Sequence, residues 1–318
     1  MSSKSSALGP LQHLLADAHV SEVMVNGSGA VWVERAGALV ATDAHLSAVE
    51  VESLIERVLG PLGRRVDRAS PFADGRLADG SRVHVVVPPV AIDGPHLTIR
   101  RFRPVDAALE DFADATVVAV LCDAIDRRRN LVVSGATSAG KTTLLNALVS
   151  RVGPNERIIT IEDAAELRLR LPHVVRLEVR PPNAEGAGAI DQRELVRNAL
   201  RMRPDRLIVG EVRGGEAFDM VQAMNTGHSG SMSTCHANSV VDALRRLETM
   251  VLVAGTGLPL DATRQQIGSS IDLVIHVARG LSGRRRVVDV AEIDPVPDGW
   301  RARSLIGDHP MPTAECDR

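Results

Sequence analysis

The sequence predicts an α/β protein in two parts: a smaller α+β region, then a half in which strands and helices alternate around a largely parallel sheet. Three observations carry that reading. Short apolar runs such as Leu131–Ser134, Arg157–Ile161 and Arg206–Val209 are separated by helical spacings of apolar residues, the alternation expected of a parallel sheet flanked by helices. A glycine-rich loop joins the first of these runs to a helical pattern. The length of 318 residues favours two domains over one.

In order along the chain, Leu11–Ala16 reads as a short helix. Glu22–Asn26 and Ala30–Glu34 read as a hairpin about Gly27, Ser28 and Gly29. Val49–Leu59 has an amphipathic helical pattern stopped by Gly60 and Pro61. Ser81–Val87 and His96–Arg100 are further strands, and these elements make up an N-terminal α+β domain over residues 1–103. Pro104 and the acidic stretch that follows suggest a linker over 104–115, with the α/β domain and a C-terminal extension over 116–318. No internal repeat is visible, and the residues from about His309 onward carry no readable pattern.

The loop itself reads Gly135, Ala136, Thr137, Ser138, Ala139, Gly140, Lys141, Thr142, Thr143. The spacing G-x-x-x-x-G-K-T is that of a phosphate loop. The strand before it and the helical spacing of Thr142–Val149 supply the required context, in which free amides and the positive end of a helix face the phosphates. Lys141 is one of two lysines among 37 Lys+Arg, the other being Lys4. A position that keeps lysine against so strong a drift to arginine needs a compact ammonium on a flexible stem. Lys141 is expected to reach the β- and γ-phosphates of ATP, and the Thr142 hydroxyl to ligate Mg²⁺.

Three further clusters stand where strands end. Ile161, Glu162 and Asp163 place carboxylates past a buried run; Asp205–Glu211 is a buried strand ending in a glutamate; His228 and His236 flank a small-residue strand. A strand-end glutamate can take a proton from a water attacking phosphorus, and an imidazole can hydrogen-bond that water or the phosphate. Each taken alone has a bland reading, as a helix cap, a loop charge or a packed histidine. Their order in one α/β half favours chemistry.

Composition limits the rest. The apolar fraction of 44%, charged fraction of 24% and net charge of −3 suit a globular protein without a whole-chain attraction to nucleic acid or lipid. Met250–Leu260, the longest weakly polar stretch, is too short and too broken by glycine and proline for a membrane span, and the start lacks a signal-peptide core. Cys122, Cys235 and Cys316 are too scattered for a disulfide framework or a four-thiolate zinc site. A cytoplasmic chain is expected.

Longer stretches carry a resemblance. These include Glu22–Gly27, Gly63–Asp67, Asp79–Arg82, Arg157–Glu166, Pro172–Glu178, Leu200–Arg206, Gly210–Glu216, Gln222–His228, His236–Asn238 and Arg246–Met250. With them the chain resembles the type II/type IV secretion ATPases over about residues 20–295, and most closely the Tad (Flp-pilus) assembly branch. The resemblance implies a homohexameric ring in which an N-terminal domain is hinged to a RecA-like P-loop ATPase domain. It also implies an inner-membrane platform protein as partner, and a place peripheral to the inner face of the cytoplasmic membrane. It puts Glu162 and Asp163 in the family's aspartate box, Glu211 as catalytic glutamate and His236 in the histidine box. Arg76, Arg82 and Arg100 match the N-terminal arginines that reach the γ-phosphate. The chain departs from the family's usual Gly-Gly-Thr-Gly-Ser-Gly-Lys-Thr at Ala136, Ser138 and Ala139, and a serine at 138 is strained if that position needs φ > 0. Gly210 stands where other phosphate-loop ATPases carry a metal-linked aspartate.

Two other classes remain open in the sequence. A RecA-like nucleic-acid translocase is disfavoured, since the basic runs at Arg127–Arg129 and Arg284–Arg286 come with only four Phe, two Trp and no Tyr to stack bases. A non-hydrolysing, ATP-gated scaffold is opposed by the intact Lys141, Glu211 and His236.

Overall fold

Glycines at 27 and 29, both at positive φ, turn the chain from strand β1 into β2 and begin the first of two sheets. At Gly27 a β-carbon would lie 2.6 Å from the Asp93 carbonyl oxygen, so the turn admits no side chain there. The structure is a computed structural model that describes residues 8–101, 107–183, 186–280 and 283–306. The chain divides into two compact units, Met1–Arg103 with Pro182–Ala189, and Pro104–Pro181 with Ile190–Arg318.

The first unit runs α1 (Gln12–Ala16), β1 (Val20–Asn26), β2 (Gly29–Arg35), β3 (Ala38–Leu46), α2 (Ala48–Leu59), β4 (Phe72–Arg76), β5 (Arg82–Val86) and β6 (His96–Arg100). The six strands form one antiparallel sheet in the order β3-β2-β1-β6-β5-β4. Alternate residues Val23, Val25, Val31, Val33, Leu97 and Ile99 turn one face of the sheet into the core, which Leu54 and Ile55 of α2 help to fill. Ser47 and Glu50 cap that helix reciprocally. The expected elements are all present. The sequence reading lacked β3, whose residues from 38 to 45 are exposed or half-buried, and β4.

The second unit runs α3 (Ala115–Asp126), β7 (Leu131–Gly135), α4 (Lys141–Val149), β8 (Ile158–Glu162), β9 (Val174–Glu178), α5 (Gln192–Ala199), β10 (Arg206–Val212), α6 (Glu216–Asn225) and β11 (Met232–His236). Then follow α7 (Val240–Val253), α8 (Leu260–Ser270), β12 (Leu273–Arg279), β13 (Arg285–Val296) and β14 (Gly299–Ser304). Its sheet has the order β14-β13-β12-β7-β11-β10-β8-β9. The six strands from β12 to β9 are mutually parallel, while β13 and β14 add an antiparallel edge. Both faces are covered, which is why these strands read as unbroken apolar runs. Val132, Ile159, Ile161 and Val209 pack on one side with α6 and α7, and Leu131, Val133, Ile158 and Ile208 pack on the other with α3 and α4. The α/β class expected for this half, preceded by a smaller α+β part, is the one observed.

The stretch read as a linker is described from Ala107 on. There Leu109 and Phe112 are buried in the core beside Leu144 and Leu145, and Asp114 caps α3 through the amides of Thr116 and Val117. This part of the stretch is therefore packed structure of the second unit. Among the described residues, no helix is long and apolar enough to cross a membrane.

Candidate active site

Parallel strands bring their carboxyl ends to one edge of the sheet, and that edge gathers the phosphate loop, Glu162, Glu211 and His236. Cα register pairs His236 of β11 with Gly135 of β7, and Ile161 of β8 with Val209 of β10. Gly135, His236, Glu211 and Glu162 thus stand along one rim. His228 lies four residues before β11, at the other end of that strand, so the two histidines read together in sequence are separated by the strand's length.

The phosphate loop needs glycine at both ends for different reasons. A β-carbon at Gly135 would lie 2.4 Å from the Val277 carbonyl oxygen, and Gly140 takes φ +100° just before α4. Ser138 also adopts the left-handed region, at φ +61°, which gives substance to the expected strain. Thr142 and Thr143 fall in the first turn of α4. The Lys141 side chain is only 10% exposed, and its Nζ donates to the Ala136 carbonyl at 3.1 Å and stands 3.9 Å from Glu211 Oε1. Burial lowers its pKa, while the Glu211 charge opposes that effect. The ammonium thus occupies its own loop's anion-binding space.

Glu211 is positioned from both sides. Its carbonyl accepts from Gln192 Nε2 at 3.0 Å, and its Oε2 accepts from Arg213 Nε at 2.9 Å. Arg213 reaches on to Asp163 Oδ2 at 3.0 Å, so one guanidinium ties the ends of β10 and β8 together. Arg213 lies inside Gly210–Glu216 without a role evident from the sequence; its one sign there is a lone cation between acids.

Glu162 is 3% exposed. Its Oε1 accepts from the amides of Glu166 and Leu167 at 2.9 and 3.0 Å, which fixes the turn carrying Asp163. Oε2 is buried with no partner among the described residues. Burial pushes this carboxyl up to about 7 against the pull of the two amides. Gly210 has a packing reason to be glycine, since a β-carbon there would lie 2.8 Å from Glu162 Cγ.

His236 Nδ1 lies 3.5 Å from Thr137 Oγ1, and Thr234 Oγ1 donates to the Gly210 carbonyl at 2.7 Å, locking β11 to β10. Cys235 is buried beside them, its thiol pushed up to about 11 by burial, so it is a packing residue rather than a nucleophile. One residue was missed altogether. His276 of β12, 5% exposed, lies 2.9 Å from the Ser134 hydroxyl just before the loop, and burial lowers its pKa. A histidine inside the apolar run Leu273–Val277 was the available sign.

Arg76, Arg82 and Arg100 belong to the first unit. Arg76 is the Cα partner of Arg82 across β4 and β5, and Arg82 is the partner of Arg100 across β5 and β6. Glu22 of β1 continues the row beyond Arg100. Directly opposed residues share a face, so three arginines stand side by side across the sheet.

The description of type II/IV secretion system proteins matches residues 4–304. The chain belongs to that family. A putative conjugal transfer protein of Mycobacterium tuberculosis is 40% identical over 295 residues, covering 89% of this chain and 83% of that protein. The type IV secretion system protein PtlH of Bordetella pertussis is 36% identical over 329 residues, covering 91% and 95%. Among solved structures, the VirB11 ATPase from the Brucella suis type IV secretion system is 30% identical with a TM-score of 0.51, covering 90% of this chain and 93% of that one. Family membership therefore spans both units of this secretion protein.

Proposed function

We propose that this chain is a Mg²⁺-dependent ATPase that drives a Tad/Flp-type pilus or a related type II/IV secretion machine. The observation that carries the reading is the meeting of Lys141, Glu211 and His236 along the carboxyl ends of three neighbouring parallel strands and the helix that follows the first. ATP offers Lys141 phosphate oxygens in place of the Ala136 carbonyl. As the ammonium turns to them, Glu211 keeps its Arg213 contact through Oε2, and Oε1 is left to accept a proton from the attacking water. The water oxygen bonds to the γ-phosphorus while the bond to the β,γ-bridging oxygen breaks, and ADP keeps that electron pair. His236 hydrogen-bonds the γ-phosphate or the water. Glu162 acts as a positioning residue, holding the turn that sets Asp163, Arg213 and hence Glu211.

The donor set suits Mg²⁺. The rim has no carboxylate at Gly210, so the hydroxyl of Thr142 would hold the ion together with phosphate oxygens and water, the hard and partly hydrated ligation that this cation prefers. When bound, it neutralises charge building on the phosphates. The remaining assignments rest on the resemblance and on the relatives' printed roles in conjugal transfer and type IV secretion. They are a homohexameric ring, a cytoplasmic site of action at the inner membrane, and a membrane platform protein as partner.

The test is the ATPase rate of the purified protein with Mg²⁺ across a concentration series, beside Glu211→Gln. Activity should rise with self-association and fall by roughly 10²-fold or more in the variant, which should still bind ATP. Substantial turnover in Glu211→Gln removes that residue from the proton-accepting role. Tight ATP binding without turnover in the unaltered chain favours an ATP-gated scaffold, and a nucleotide-bound monomer in sedimentation removes the ring.

A further inference from the structure

Beside His236 and Arg213 the second unit has an open pocket of about 500 Å³. Three arginines and a histidine line it, Arg213, Arg245, Arg246 and His236, against one carboxylate, Asp242. Asp242, Arg245, Arg246, Thr249 and Val253 follow helical spacing, so one face of α7 forms a wall, with Met250 and Val253 as its apolar part.

Several buried or half-buried arginines of the unit have local acidic partners. Arg193 and Arg197 both pair with Asp219, Arg206 pairs with Glu156, and Arg264 pairs with Glu248. Arg245 and Arg246 have no ion pair and no side-chain hydrogen bond among the described residues, although Asp242 lies one helical turn before both. Two guanidiniums that line one pocket, with no ion pair among the described residues, offer a site for an anion. The pocket also adjoins the hydrolysis site, because Arg213 and His236 line both and the Arg246 charge is felt at Lys141 and at Cys235.

We propose that this pocket binds inorganic phosphate and is where the product stands as it leaves. The inference rests on the ATPase reading. After cleavage the loop and Lys141 retain ADP, and a dianion departing past His236 and Arg213 enters the pocket that Arg245 and Arg246 line. Bidentate guanidinium contacts match phosphate geometry, and the space is large enough for the ion with part of its hydration.

Inorganic phosphate is titrated calorimetrically into the full chain, once saturated with ADP and Mg²⁺ and once nucleotide-free, for the unaltered protein and for the double variant Arg245→Ala/Arg246→Ala. Loss of two charge-assisted contacts should weaken phosphate binding by about 10-fold or more. Phosphate inhibition of ATP turnover should weaken by the same factor, while ADP affinity stays within about twofold because neither residue touches the loop. Arg245→Lys/Arg246→Lys should fall between, keeping charge without the planar fork. Phosphate affinity that is unchanged in the alanine variant, or undetectable in the unaltered protein, overturns the proposal. So does a change of assembly mass with phosphate affinity intact, which would make the pocket a contact between copies. A chain that does not bind ADP fails the ATPase reading instead, and arginine-sensitive phosphate binding to the nucleotide-free protein still upholds the pocket as a phosphate site.

Discussion

The rim of the second sheet mixes its cations with carboxylates, whereas the first sheet sets three arginines in one row. At the rim, Lys141 is 10% exposed with an acceptor at 3.1 Å and Glu211 at 3.9 Å, and Arg213 is shared between Glu211 and Asp163. In the row, Arg76, Arg82 and Arg100 are set directly opposite one another on three strands, where like charges repel, with Glu22 at one end. A rim of that kind is organised before any ligand arrives. A row of that kind concentrates positive charge on one face of its sheet.

The sharpest break of that contrast is Lys141→Ala. It removes the only lysine of the rim and should weaken ATP binding by roughly 100-fold or more, read by fluorescent-nucleotide titration. Next comes Arg82→Ala, at the centre of the row. If the row stabilises the transition state, turnover should drop by roughly 10²–10³-fold with the thermal midpoint little changed. If the row is only a surface feature, turnover is unchanged.

The third effect is on stability. The Glu162 carboxyl lies at about 7 against an ordinary 4.5, so the folded chain holds this proton more tightly than the unfolded one. The stability this group contributes should therefore be fully present below about 4.5, be lost as pH rises toward 7 and level off above. Glu162→Gln keeps the acceptor for the Glu166 and Leu167 amides and removes the ionisation. It should stabilise the protein at pH 8 by up to about 3 kcal/mol relative to pH 5, read from urea melts at both values. Equal effects at the two values would remove the burial argument. The smallest effect is Ser138→Gly, which relieves a left-handed serine and should tighten ADP binding or raise stability by about 1 kcal/mol.

Much of the rim was legible because strand, glycine loop and helix are contiguous, and because buried parallel strands appear as plain apolar runs. Glu211 and His236 could be found from where such runs stop. The arginine row was legible only as three separate residues. Their alignment depends on the registers of β4, β5 and β6, which turns of different length set. The β3 edge left no signal because its face is mostly exposed, and His276 was hidden inside an apolar run that reads as core. The meeting of Gly210 with Glu162 joins two strands 48 positions apart and has no local trace in sequence.

That last contact constrains how the chain can change over generations. The space a side chain at 210 would need is already filled by Glu162, with Cγ 2.8 Å from where a β-carbon would start. A lineage cannot acquire a metal-binding aspartate at 210 by one substitution while keeping glutamate at 162. The two sites form a single heritable choice, and designers grafting the commoner aspartate arrangement must exchange both residues together.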